Sequence, residues 1–164
     1  MPNNKSYQTC KTLVIGCGIK KIKGAWNVDI LESVNPDEVV DISWGLPYED
    51  NSFEEVIADY VLEQIHDNKI FINTLNEIWR VLKPSGVFRL KVPNAEFPEA
   101  FRDPMDCRYF TPNTFDHFNK AHYRWFAFQY GFMPWHKISI VPERINRLSV
   151  RMTPYKNKIN KKHI

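Results

Sequence analysis

The spacing of apolar positions changes period along the chain, and each change marks an element. Lys11 to Ile15 is a short run of apolar and β-branched residues halted by Gly16-Cys17-Gly18, and it predicts a first strand. Ala25 to Ile30, Glu38 to Ile42 and Glu55 to Ala58 predict three more, each short, largely apolar and closed by polar or turn residues. Such runs fit strands buried on both faces of a parallel sheet. From Asn68 to Leu82 the period lengthens. Phe71, Leu75, Ile78 and Leu82 recur at helical spacing, Ile72 and Trp79 widen the stripe, and Asp67 or Asn68 can cap its start. Lys83-Pro84-Ser85-Gly86 ends that helix, and Val87 to Val92 alternates as a fifth strand until Pro93-Asn94.

Ala95 to Asn113, rich in Pro, charge and aromatics, reads as a long ordered loop. Thr111-Pro112 or Asn113 can open a helix with Phe115, Phe118 and His122 along one side, and the aromatic run Tyr123, Trp125, Phe126, Phe128 and Tyr130 reads as core, with the wall of an acceptor pocket as the alternative for some of it. Trp135 to Val141 and Asn146 to Thr153, separated by Pro142-Glu143-Arg144, predict a terminal hairpin. Five strands with crossovers, then an antiparallel pair, give an α/β fold. The expected architecture is a three-layer Rossmann-like sheet, mostly parallel with a C-terminal antiparallel strand pair.

Composition narrows this picture only slightly. With 164 residues, 43% of them hydrophobic, the chain can bury one core. The expectation is a single domain over residues 1–155 and a basic, disordered tail over 156–164, where Lys156, Lys158, Lys161 and Lys162 cluster. The net charge of +3 owes much to that tail and selects no partner. Met1-Pro2-Asn3-Asn4-Lys5 has no apolar run behind it, and no segment approaches the ~20 apolar residues of a membrane span, so a cytoplasmic protein without membrane contacts is expected. Cys10, Cys17 and Cys107 are odd in number and far apart, without a CxxC pair or clustered histidines, so neither a disulfide framework nor a metal site is expected.

The chemistry lies at the strand ends. In an open parallel sheet the ligand crevice forms beyond the carboxyl ends of the strands, where strand order reverses. Gly16 and Gly18 end the first predicted strand, where absent side chains let the backbone turn and approach a ligand. Asp29, thirteen residues after Gly16, ends the second, where a carboxylate can accept both hydroxyl protons of a ribose. Asp41-Ile42 ends the third, suited to an adenine amino group and its ring, and Asp59-Tyr60 ends the fourth. Each Asp alone is an ordinary helix cap or solvated strand end. Four successive strands ending in a glycine turn or an acid form a more demanding pattern.

The runs LVIGCGIKKIKGAWNVDI, VVDISWGLPYEDNSFEEVIADYVLEQI and LNEIWRVLKPSGVFRLKVPN, in that order and spacing, resemble the class I S-adenosylmethionine-dependent methyltransferases, specifically the small methyltransferase-11-like proteins. The segment FRDPMDCRYFTPNTF is similar to the region that follows the sheet in that family. The resemblance implies a methyltransferase with S-adenosylmethionine as cofactor. It further implies that Gly16, Cys17 and Gly18 pass beneath the methionine and ribose, that Asp29, followed by Ile30, holds the ribose hydroxyls, that Asp41 and Ile42 receive the adenine, and that Asp59 and Tyr60 lie beside the sulfonium. Glu63 matches a recurring acid of structural role. Two positions depart from the pattern: Val14 stands where the family has an acid or Asn, and Lys20 where it often has a third glycine. Lys20 or Lys21 can offset this by pairing with the methionine carboxylate.

Methyl transfer from a sulfonium is an in-line displacement that needs alignment and desolvation more than a catalytic base. The residues placed to assist are His66, Asp103, Arg108 and Tyr109. Nucleic acid is disfavoured as acceptor, because Asp59-Tyr60-Val61-Leu62 stands where exocyclic-amine methyltransferases carry their Pro-Pro motif. A small-molecule or sugar-containing acceptor is expected. The short region before Leu13 has no room for lid helices, so the expectation is an acceptor site that is open or completed by a second subunit, as in a homodimer. The competing readings are a catalytically silent Rossmann-like module that binds cofactor or scaffolds a partner, and a nicotinamide-dependent oxidoreductase, which the glycine pattern opposes.

Overall fold

A computed structural model describes residues 6–119, 121–143 and 146–156. Seven strands, β1 (Thr12–Ile15), β2 (Trp26–Asp29), β3 (Glu38–Val39), β4 (Phe53–Asp59), β5 (Leu82–Pro93), β6 (Trp135–Glu143) and β7 (Arg147–Pro154), form one sheet in the order β3-β2-β1-β4-β5-β7-β6. The first five are parallel and β6 and β7 antiparallel, as the apolar pattern predicts. Ile15 pairs with Val28 on one side and Ala58 on the other. The chain therefore leaves β1 outward through β2 and β3, then returns to β4 on its other side. This reversal creates the crevice between β1 and β4.

Helix α1 (Asn68–Val81) is capped by Asp67, whose carboxylate accepts from the Lys69 and Ile70 amides. Its stripe, including Leu75 and Ile78, packs with Leu13, Ile15, Val56, Phe88, Leu90 and Val150 in the main core. Helices α2 (Asp116–Asn119) and α3 (Ala121–Gln129) follow on the same side, with Phe115 and Phe118 in that core. Among the described residues, the second helical layer of a three-layer design is absent. The connection from β1 to β2 is residues 16–25 and that from β2 to β3 is residues 30–37, both shorter than the dozen or so residues that a helical crossover requires. These loops cover a small apolar cluster of Val14, Cys17, Ala25 and Ile57. Farther along the same face, Arg89 pairs with Glu55 at 3.0 Å and Lys91 with Asp59 at 3.7 Å.

Buried polar groups hold these loops in place of helices. Asn27, 2% exposed, accepts from the Ile22 amide and donates to the Ile22 and Ala25 carbonyls and to Asp37. Glu38 accepts from Trp26 Nε1 and the Tyr48 hydroxyl, and burial raises the Tyr48 pKa. Glu77 and Arg80 on α1 clamp the segment before β4 through the Leu46 amide and the Leu46 and Tyr48 carbonyls.

Several elements differ from the sequence reading. β3 ends at Val39, and Ile42 lies in a 3-10 turn, Ile42–Trp44, because the Asp41 side chain accepts from the Ser43 amide and turns the chain. The Lys83–Gly86 turn forms an irregular start to β5, where Leu82 pairs with Phe53 before regular register resumes at Val87 and Glu55. Trp125, Phe126, Phe128 and Tyr130 are exposed rather than core, and Ala127 is the buried residue between them. Lys156 is anchored, not part of a solvated tail: its ammonium donates to Asn51 Oδ1 and the Arg80 and Leu82 carbonyls and sits over the Trp79 ring. The rest of that expected tail, 157–164, lies outside the described residues.

Candidate functional site

The parallel register brings Gly16, Asp29 and Asp59 to one edge of the sheet at the ends of β1, β2 and β4, with Asp41 just beyond β3. Gly16 and Gly18 have φ of +64° and +50°, a left-handed conformation that side chains disfavour. The Gly18 amide donates to Asp29 Oδ2 at 2.8 Å, and the Leu31 amide donates to Asp29 Oδ1 at 3.0 Å. Two amides thus fix a carboxylate that is 8% exposed, and each oxygen keeps acceptor capacity for a ligand hydroxyl. A Cβ on Gly18 would meet nothing within 4 Å, so the turn itself is open at that point.

The remaining sequence candidates fall around this centre. Ile30 is exposed. The Asp41 carboxyl is held below its ordinary range by its hydrogen bond to Ser43, so it presents an ionised acceptor beside the half-buried Ile42. Asp59 pairs with Lys91, and Tyr60 adopts φ +60° with its ring partly exposed. Val14 is packed in the small apolar cluster, leaving no acid beneath the glycine turn. Lys20 is exposed, and Lys21 donates to the Asn35 carbonyl at 2.6 Å, which ties it to the following loop instead. The Cys17 thiol is pushed up by burial and then by Asp29, so it stays protonated.

Next to this edge a cavity of about 550 Å³ opens between the ends of β4 and β5 and the loop that follows, bounded by Tyr60, Glu63, Pro93, Asp103 and Asp106. Of the four residues placed to assist chemistry, Asp103 alone lines it. His66 is exposed outside it, and its carbonyl accepts from Arg108. Arg108 serves as a tether, donating to the Ile65 carbonyl and Asn68 Oδ1 and stacking over Phe71 at 4.2 Å. Tyr109 packs on Phe101 with centroids 4.7 Å apart.

Glu63, which the sequence reading gives a structural role, is where the site gains a residue. Its backbone carbonyl accepts from the Cys107 and Arg108 amides and so anchors the covering loop. Its side chain lines the cavity at 1% exposure, with Oε2 lacking a hydrogen-bond partner, and its pKa is pushed up to about 7 by burial, then by Asp106, Asp103 and Asp59. Apolar Leu62 and Ile65 beside it signal burial, but the acids that face it arrive from a distant segment.

Among the described residues, no helix is long and apolar enough to cross a membrane, and no group of three or more His, Cys, Asp or Glu is arranged to hold a metal ion. Residues 28–90 match the model of a methyltransferase domain. No curated protein matches the chain in sequence. Solved structures share its fold. A S-adenosylmethionine-dependent methyltransferase from Archaeoglobus fulgidus superposes with a TM-score of 0.64 at 15% identity, over 90% of this chain and 87% of its own. One from Methanosarcina mazei does so with 0.59 at 16%, over 87% and 91%. The methyltransferase CalH, solved with S-adenosylhomocysteine, gives 0.61 at 16% over 90% of this chain, which spans about half (52%) of CalH.

Proposed function

We propose that this chain, whose residues 28–90 match a methyltransferase domain and whose fold is that of S-adenosylmethionine-dependent methyltransferases, methylates a small-molecule or sugar-containing acceptor by direct in-line transfer. The observation that carries this reading is the Asp29 carboxylate, fixed by the Gly18 and Leu31 amides at the carboxyl edge of the sheet beside the open glycine turn. The residues present fit the cofactor. Asp29 would accept the ribose hydroxyls, Asp41 and Ile42 would receive the adenine, and the Gly16–Gly18 turn would lie against the chain between ribose and methionine, with Asp59 and Tyr60 flanking it. When bound, S-adenosylmethionine supplies a methyl group already activated on a sulfonium.

The protein's own part is then binding and alignment. The cavity beside Tyr60 has the size of a small-ligand site, roughly 300–1,000 Å³, and opens next to the Asp59-Tyr60 corner. Its carboxylates suit the hydroxyl or amino groups of a polar acceptor. Lys21 is engaged with Asn35 and Val14 is apolar, so the backbone of the glycine turn, with the exposed Lys20 beside it, would carry the methionine end.

Calorimetry with S-adenosylmethionine, S-adenosylhomocysteine and NAD tests the reading. The two methyl-cycle ligands should bind and NAD should not. Asp29→Ala should weaken their binding by about 1–3 kcal/mol, the loss of a charge-assisted contact. Silence with both ligands, or binding of NAD alone, would overturn the proposal.

A further inference from the structure

We infer that the cavity under the covering loop is a docking site for a positively charged amine, so that the acceptor is a small molecule bearing a protonated amino group. The inference deepens the methyltransferase reading and rests on it for the word acceptor, whereas the docking site stands on its own geometry.

Four carboxylates line the cavity, Glu63, Glu99, Asp103 and Asp106, against a single cation, Arg102. The chain as a whole carries a net charge of +3, so this concentration of acid runs against the protein's balance. Acid on a surface is commonly just solvated. Glu63 is different: it is 1% exposed, it lines the cavity, and its Oε2 has no hydrogen-bond partner. A buried carboxylate oxygen without a donor is costly, and the cost is removed by a ligand that brings one. Asp106, half-buried nearby, has its carboxyl raised by burial and then by Asp103, against a smaller opposing effect of its hydrogen bond with Gln64, so the acids repel one another and a further cation relieves them.

The size of that cation follows from the spacing. Among the described residues no three acids converge closely enough for a metal ion, and the cavity of about 550 Å³ admits an organic molecule. An ammonium on an organic frame satisfies both constraints. It supplies up to three donors to separated carboxylates while its frame fills the space beside Tyr60 and Pro93.

The test uses two sets of probes matched in shape and differing in charge: glucosamine, glucose and glucuronate, and tyramine, tyrosol and 4-hydroxyphenylacetate. Binding to the full chain is followed by ligand-detected NMR with and without S-adenosylhomocysteine. At least one of the two amines should bind and its neutral and anionic counterparts should not. Glu63→Gln and Asp106→Asn should each weaken the amine by about tenfold or more while leaving S-adenosylhomocysteine affinity unchanged. Equal binding of neutral or anionic probes, no binding of either amine, or amine affinity unaltered in both variants would overturn the inference. Amine binding in a protein that ignores S-adenosylhomocysteine would support the docking site while removing the methyltransferase reading.

Discussion

Val61 lies directly against Gly16: a Cβ on the glycine would stand 2.4 Å from Val61 Cγ2, closer than such atoms approach. The segment after β4 therefore packs onto the turn after β1 through the space that the missing side chain leaves. The same glycine has φ of +64°, which any other residue disfavours. Gly16→Ala should destabilise the fold by about 2–4 kcal/mol, combining left-handed strain with the clash. In a Val61→Ala background the clash is gone and only about 1–2 kcal/mol of strain should remain. Urea unfolding of the four proteins checks this as a double-mutant cycle, and strict additivity would show that the contact does not exist.

Asn27 does for the β1–β2 connection what a helix does in a longer crossover. It is nearly fully buried and bonds the Ile22 amide, the Ile22 and Ala25 carbonyls and Asp37. Replacing it with Leu keeps the volume but removes the acceptor of the Ile22 amide and one donor each to the Ile22 and Ala25 carbonyls and to Asp37. The expected loss is about 2–4 kcal/mol, from the hydrogen bonds of a buried amide side chain that a Leu cannot make. Hydrogen exchange should localise it, with amides of residues 16–25 losing protection before those of α1. Uniform loss across the sheet would instead mark Asn27 as a general core residue.

What was legible in the sequence follows from range. Strand ends are local, so Gly16, Asp29 and Asp59 could be placed from short apolar runs, and the register of β1, β2 and β4 then brings them to one edge. The missing helical layer was also present in the sequence as connection length, but parallel strands carry a strong expectation of helical crossovers that masks it. Glu63 was not legible as a cavity residue, because the acids facing it, Asp103 and Asp106, belong to a segment brought over it by Cys107 and Arg108. The aromatic run near Trp125 misled for the opposite reason: ring content predicts burial only when another element covers it, and none of the described residues buries Trp125, Phe128 or Tyr130.

Glu63 also gives the protein a pH dependence of definite sign. Its carboxyl is pushed up to about 7 in the folded chain by burial, then by Asp106, Asp103 and Asp59, against 4.5 when free. Between those values the folded state holds a proton that the unfolded chain has released. Linkage then requires stability to fall as pH rises from 4.5 to 7, and to level off above. Asp106, raised by burial and then by Asp103, adds to the same slope; Asp59 forms an ion pair with Lys91, and Arg102 is the cation lining the cavity. At about 1.4 kcal/mol per pKa unit, the full Glu63 share amounts to roughly 3–4 kcal/mol, of which about 2–3 kcal/mol falls between pH 5 and pH 8. Glu63→Gln removes the ionisation without changing the shape of the side chain. Its stability relative to the parent should therefore increase by about 2–3 kcal/mol between pH 5 and pH 8 in urea unfolding. A difference that stays constant across that range would mean that Glu63 titrates as an ordinary surface acid, and the dry, donor-seeking carboxylate at the base of the cavity would have to be abandoned.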